Sequence, residues 1–346
     1  SSENVAIGRS ALQELNHTTA TNGYNVAVGS DAGKLVTTGI ENTLIGGEAG
    51  DSLTDADANV AVGKGALGSD TLGSQATALG TGALSSQNFS TATNSLNTAV
   101  GYVAGSSVTT GVHNTLIGGQ AGDALTQGAR NTAVGVAALT ADTLGQYAVA
   151  IGYGALSVQN FTTATNNYNV AVGYLAGEDV TTGIRNTLIG GVAGLALTDA
   201  DYNVAIGMNA LSTDTLGSKS TAVGTDALQT QNFTTATDSF NTAVGYNAGN
   251  AVTTGIQNTI IGGLAGDALT TGSNNTVVGR DALGADTLGS RAVAIGDAAL
   301  QSQNFSTATE NYNVGVGYAA GANVTTGVQN VLIGGLAGDA LTTGLN

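Results

Sequence analysis

The sequence predicts an all-β parallel solenoid of nineteen short turns, and three observations carry that expectation. First, the string Asn-Thr/Val-Ala/Leu-Ile/Val-Gly-x-x-Ala recurs nineteen times, with its central glycines at 8, 29, 46, 63, 80, 101, 118, 135, 152, 173, 190, 207, 224, 245, 262, 279, 296, 317 and 334. The intervals run 21, 17, 17, 17, so a 72-residue super-repeat stacks one coil design along the chain. Second, the residue before the glycine is always Ile, Val or Leu, and the third residue after it is alanine from Ala11 to Ala337. Third, glycine numbers 53 while proline and cysteine are absent. A backbone without proline keeps every N–H for a ladder, and a chain without cysteine must be held by stacking or assembly rather than disulfides.

The elements follow in order along one coil, Asn114 to Arg130. Asn114-Thr115-Leu116-Ile117-Gly118 reads as a strand rich in β-branched side chains and closed by a glycine that permits a sharp turn. A second short strand is expected from about Ala121 to Leu125, and Thr126-Gln127-Gly128 has the chemistry of a returning turn. The invariant alanine marks a place where two walls of the coil approach closely. The packed axis is expected along this row and the aliphatic row, at Ile45, Val62, Val100, Ile117, Ala121, Val134, Ile189 and Ile261. At the fourth residue after the glycine the order Leu12, Gly33, Gly50, Leu67 repeats, which carries the four-coil design into the interior. Asparagine opens fifteen of the nineteen coils, and its amides at one station about 4.8 Å apart are expected to hydrogen-bond from coil to coil. Ala76, Ala148, Ser220 and Ala292 fill the gaps. Every fourth coil is lengthened by four residues around Gln-Asn-Phe-Ser/Thr, which centres on Phe89, Phe161, Phe233 and Phe305, with His17 in the first.

The strand faces carry the main inference about assembly. In Asn25-Val26-Ala27-Val28-Gly29, Val26 and Val28 point one way and Ala27 the other, so neither face is polar. Ala32 and Val36 of the same coil cover one side. A coil of 17 residues is too flat to cover the other, and a partner chain is the simplest cover.

Composition narrows the function classes. The formal charge of −16, from 24 acidic and 8 basic residues, argues against nucleic acid and anionic membranes, and no run of about 20 apolar residues predicts membrane insertion. No catalytic, cofactor or metal site is expected, because polar residues recur in rows rather than converging once. His17 and His113 have no partner that the sequence places, and Gly46-Gly47 lacks the Lys and helix of a phosphate loop. Asp70, Asp142, Asp214 and Asp286 form one acidic row and Asp51, Asp123, Asp267 and Asp339 another, without the calcium-loop pattern of nonapeptide repeats. Thr37-Thr38 and Thr109-Thr110 recur too sparsely for an ice-binding face. Aliphatics are not spaced every six residues, since position 123 is Asp, which argues against a hexapeptide β-helix. Eight aromatics are candidate surface contacts: Phe89, Phe161, Phe233 and Phe305, whose first reading is that each tucks under its long loop, with receptor contact the alternative, and Tyr102, Tyr174, Tyr246 and Tyr318, read as surface rungs.

The strings Asn59-Val60-Ala61-Val62-Gly63 and Asn203-Val204-Ala205-Ile206-Gly207 resemble the head repeats of trimeric autotransporter adhesins. Asn97 to Gly105 and Asn241 to Gly249 are similar to repeats of phage tail fibres that end in a self-cleaving chaperone domain. The resemblance extends over all nineteen coils. It implies a left-handed β-roll and a homotrimer, intertwined or side by side. The unbroken repeat predicts that residues 1–346 are one continuous solenoid, expected to be a segment of a longer protein, and the resemblance implies an extracellular fibre that reaches a cell-surface glycan or protein receptor. A bacterial surface adhesin or filament is the alternative, and a glycan-degrading tailspike a further one.

Overall fold

The computed structural model describes residues 3–344 as an all-β parallel solenoid of nineteen turns, with no helix among them. The chain divides into two compact units, one reaching Asn169 and the other starting at Val170. The first holds nine three-residue strands: Val5–Ile7, Val26–Val28, Thr43–Ile45, Val60–Val62, Thr77–Leu79, Thr98–Val100, Thr115–Ile117, Thr132–Val134 and Val149–Ile151. The second holds ten: Val170–Val172, Thr187–Ile189, Val204–Ile206, Thr221–Val223, Thr242–Val244, Thr259–Ile261, Thr276–Val278, Val293–Ile295, Val314–Val316 and Val331–Ile333. Within each unit successive strands pair in parallel and in register, as in Val26↔Thr43, Ala27↔Leu44 and Val28↔Ile45. The 17- or 21-residue period therefore converts directly into one strand step.

The strands are short because each turn bends at four left-handed positions. The strand glycines have φ between +125° and +146°, a region open to glycine and closed to side chains. A Cβ added to Gly29, Gly118 or Gly245 would stand 2.3, 2.4 or 2.5 Å from the carbonyl oxygen of the glycine in the next turn. Conformation and contact thus both demand glycine there. The other three corners are the second and fourth residues after that glycine and the residue before the asparagine, as in Gln120, Gly122 and Arg130 at φ +61°, +55° and +59°. Non-glycine residues hold many of them, including the β-branched Val103 and Val192 at +49° and +53°. The corner at Gly122 replaces the strand expected from Ala121 to Leu125. An extended run cannot pass through a left-handed residue, so the segment is a run of turns. Its amides still alternate between bonds to the next turn and bonds within their own, as Gly122 N–H to Ala138 O at 2.9 Å and Leu125 N–H to Gly122 O at 3.2 Å.

The core lies behind the middle residue of each strand. Ala27, Leu44, Ala61, Ala99 and Leu116 are fully buried, as are Ala32, Ala49, Ala104, Ala121 and Val36. Large and small residues interlock along this row. Leu44 and Leu116 fill the space that glycine leaves at the corners on both sides. A Cβ on Gly33 or Gly50 would meet Leu44 at 2.6 and 2.7 Å, and one on Gly105 or Gly122 would meet Leu116 at the same two distances. After Ala61 and Ala133 the corner residue is Leu67 or Leu139, fully buried, whereas after Ala27 and Ala99 it is Gly33 or Gly105.

This assignment corrects most of the expected packed axis. Ala121 is in the core, but Ile45, Ile117, Ile189 and Ile261 are 38–39% exposed, and Val62, Val100 and Val134 are half-buried on the same outward face. In a three-residue strand the flanking residues share a face and the centre takes the other. Both faces being apolar, the pattern alone did not say which turned inward.

The asparagine row is a ladder, built mainly from side chain to backbone. Asn42 Nδ2 donates to Ala56 O of its own turn at 2.8 Å, and its Oδ1 accepts the backbone N–H of Asn59 at 3.0 Å. Direct amide–amide bonds also occur, as from Asn59 Nδ2 to Asn42 Oδ1 at 3.1 Å. Each buried amide therefore ties two turns together at one station.

At the long turns a second network bridges the gap in that ladder. Asp70, fully buried, accepts from Gly73 N at 3.0 Å, Phe89 N at 3.2 Å and Gln87 Nε2 at 2.6 Å, and Gln87 Oε1 accepts from Asn97 Nδ2 at 2.8 Å. Asp142–Gln159–Asn169, Asp214–Gln231–Asn241 and Asp286–Gln303–Asn313 repeat the chain of bonds. Two-residue strands such as Gly73–Ser74 and Thr93–Asn94 pair beside each network. Burial pushes the carboxyls of Asp142 and Asp286 above the ordinary value, against the pull of their N–H donors.

Candidate functional surface

The outward face of the strands is the surface most in need of explanation. Its first column is Thr or Val in every turn and its second is Ile, Val or Leu, from Val5 and Ile7 to Val331 and Ile333. Neither column contains an ionisable residue, although the chain carries 24 acidic and 8 basic ones. In each unit the two columns form an uncharged stripe of Thr, Val, Ile and Leu on one face of the parallel sheet. Soluble single chains rarely leave such stripes uncovered.

Immediately beyond the strand glycine stand Tyr102, Tyr174, Tyr246 and Tyr318, 58–66% exposed. These four tyrosines are on the surface, as candidate contacts must be. Phe89, Phe161, Phe233 and Phe305 are not. They are 5–6% exposed and seal the long turn above the aspartate network, so the structure removes them from the candidate contact set. A Cβ on Gly73 would sit 2.8 Å from the Phe89 ring, which shows how closely that ring is seated.

A second aromatic row runs along the left-handed corner before the asparagine. Arg130 lies over Tyr147 at 5.5 Å, and Tyr147 stacks on Tyr168 with centroids 5.2 Å apart. Further along, Arg185 lies over Tyr202, Lys219 over Phe240 and Arg291 over Tyr312. The last pair includes Glu310, whose carboxyl is held below its usual value by the Tyr312 hydroxyl and then by Arg291. Ring faces here are occupied by neighbours of the same chain, which makes the row a stabilising stack. Each cation stands one turn before its ring, at a spacing equal to the coil, which is the sequence signal for the row.

Asp70, Asp142, Asp214 and Asp286 spend their oxygens on N–H donors, and among the described residues no group of three or more His, Cys, Asp or Glu could hold a metal ion. Asp267 and Asp281 line a recess of about 410 Å³ with Gln301, Ser302 and Asn304. Burial raises the Asp267 carboxyl, and the charge of Asp281 adds to it. Asp281 is itself paired with Arg280 at 2.7 Å, and Ala137 and Asn209 stand at its station in other super-repeats. The threonines of the returning turn are denser than their pairs suggested: Thr37, Thr54 and Thr71 form one row. Their hydroxyls are spent along it, Thr37 donating to Thr54 O at 3.2 Å and Thr54 to Thr71 O at 3.0 Å. The buried Asp–Gln–Asn networks were missed altogether. Their signal is the coincidence of Gln87, Gln159, Gln231 and Gln303 with the gaps in the asparagine row.

Comparison with family models, with curated proteins and with solved structures gave no match to this chain.

Proposed function

We propose that this chain is a structural segment of an extracellular fibre of the phage tail-fibre type, which assembles as a homotrimer through the outward strand face and serves in host attachment. The observation that carries the reading is the uncharged Thr/Val and Ile/Val/Leu face, continuous over each unit on a chain of formal charge −16. Copies bearing like charge repel everywhere except across a surface with none, and burying that surface removes an apolar stripe from water. In-register stacking gives mechanical reach, and repeated features at a fixed spacing multiply weak receptor contacts by avidity. The resemblance of Asn97 to Gly105 and Asn241 to Gly249 to tail-fibre repeats, and of Asn59 to Gly63 to adhesin heads, supports the class.

Gold-labelled antibody raised against the chain and applied to the source culture tests the role. Label on the tails of phage particles supports the fibre, label on the cell surface favours the adhesin alternative, and label confined to the cell interior refutes both.

A further inference from the structure

The residue that follows each strand glycine cycles through four stations. Two of them accept almost anything: Lys64, Val136, Met208 and Arg280 share one, and Thr81, Tyr153, Thr225 and Asp297 the other. The remaining two are fixed. One is tyrosine at 102, 174, 246 and 318, with Ser30 in the first super-repeat, and the next is glycine at 47, 119, 191, 263 and 335.

These glycines have no reason to be glycine inside the chain. None has a left-handed φ. A Cβ placed on Gly191 or Gly263 meets nothing within 4 Å, and one on Gly119 or Gly335 meets only a tyrosine carbonyl oxygen at 4.0 Å. The strand glycines Gly46, Gly118, Gly190 and Gly262 differ, since their added Cβ strikes the next turn. The space above this station is open within the chain, so a group from outside it can be seated there.

One turn before each of the last four glycines stands the exposed tyrosine, and its ring does not cover the glycine of its own chain. The only atom of Tyr102 within 4 Å of a Cβ on Gly119 is its carbonyl oxygen. The rings, 58–66% exposed, and the bare floor thus lie side by side at the surface, and both border the uncharged strand columns. What fills the floor must carry bulky groups at a spacing of four turns, about 19 Å. A second copy of this chain has that spacing by construction, and it can approach here without meeting like charge.

We infer that these tyrosines and glycines interlock between parallel copies of the chain. The tyrosine ring of one copy packs over the backbone of the glycine one turn along in its neighbour, and this sets the axial register of the assembly. Strand columns of near-uniform Thr, Val and Ile would let copies slide by one turn, whereas the tyrosine–glycine pairs restrict slippage to steps of four. The inference rests on the self-association proposed above and adds its registering contact.

Nitration of the intact wild-type protein with tetranitromethane, read by peptide mass spectrometry, tests it without any variant. Tyr102, Tyr174, Tyr246 and Tyr318 are expected to react at least about tenfold more slowly than Tyr24. Equal rates overturn the interlock. The combined variant Gly119→Leu, Gly191→Leu, Gly263→Leu, Gly335→Leu is expected to keep its far-UV circular dichroism and lose its three-chain mass in sedimentation equilibrium, while Thr81→Leu with Thr225→Leu keeps it. Retention of mass and denaturation midpoint by the glycine variant, or equal dissociation of the threonine control, also overturns it. A three-chain wild type with freely nitrated tyrosines refutes only the interlock, whereas a single-chain wild type refutes the self-association beneath it.

Discussion

Leu116 offers the sharpest test of how the core is built. It is fully buried, and the corners on either side of it, Gly105 and Gly122, have no side chains that could move into a void. Large-to-small replacements of buried leucine cost about 2–5 kcal/mol, the upper end applying where surroundings cannot collapse. Leu116→Ala is therefore expected to cost about 4–5 kcal/mol. Gly105→Ala probes the same space from the other side. Its Cβ would lie 2.6 Å from Leu116 Cδ1, 3.1 Å from Leu84 and 3.3 Å from Val108, at φ +58°. Left-handed backbone costs alanine about 1–2 kcal/mol, and overpacking adds about 1–3 kcal/mol. In the Leu116→Ala background the 2.6 Å contact disappears and the added methyl fills part of the cavity. The two changes should then couple favourably by about 1–3 kcal/mol. Urea denaturation at one fixed protein concentration, with the slope checked for each variant, measures the cycle. A cost below about 1.5 kcal/mol for Leu116→Ala, or strict additivity, refutes the interdigitated core.

Other outcomes follow from the same geometry. Asp142 and Asp286 have carboxyls raised by burial, so the folded state binds their protons more tightly than the unfolded chain does. Their contribution is complete below the unfolded carboxyl value of about 4 and is lost as pH rises through the folded value. As pH falls toward the unfolded carboxyl value, thermal midpoints should rise, and Asp142→Asn with Asp286→Asn should flatten that rise; a rise unchanged in the double variant contradicts it. Asn167 and Asn311 bury an Nδ2 with no acceptor, while Ser95 at the same station donates to Ser74 O at 3.3 Å. Asn167→Ser with Asn311→Ser is expected to stabilise by about 1 kcal/mol per site, and calorimetry showing a loss refutes it. Gly118→Ala, which brings a Cβ to 2.4 Å from the Gly135 carbonyl oxygen at φ +133°, should cost about 3 kcal/mol or more. Gly334→Ala, with only the Ala337 Cβ near at 4.0 Å, should cost less. Equal losses in denaturation midpoint would show that backbone conformation alone fixes these glycines.

Much of the fold was legible because a repeat chain states its own period. Spacing of the glycines gave the turn count, the invariant alanine gave the tight wall, and the asparagine row gave the inter-turn ladder. What sequence could not give were the corners. Left-handed backbone is expected at Gly or Asn, yet Leu67, Arg130, Tyr168 and Val103 hold such positions because stacked neighbours over-determine them. That is why the second strand was misplaced at Ala121 to Leu125. The core was assigned to the wrong parity for a related reason: with Ala27 and Val28 both apolar, alternation separates two faces without saying which is inside. The phenylalanines share their parity with Leu72, Leu144 and Leu216 of the preceding coils, which favoured their place under the loops, whereas shorter residues replace the tyrosines in other coils, which favoured the surface. The Asp–Gln–Asn networks depend on residues 10 to 17 apart meeting across a lengthened turn, a contact visible only once the turns are stacked.

Sedimentation equilibrium of the intact protein, with strand content followed on the same sample, tests the outward face most directly. Burial of the Val, Ile and Thr columns between copies predicts a folded species of three times 33.7 kDa, with no folded single chain on dilution. A stable, fully folded species of 33.7 kDa at every concentration would show that the face tolerates water and contradict the assembly.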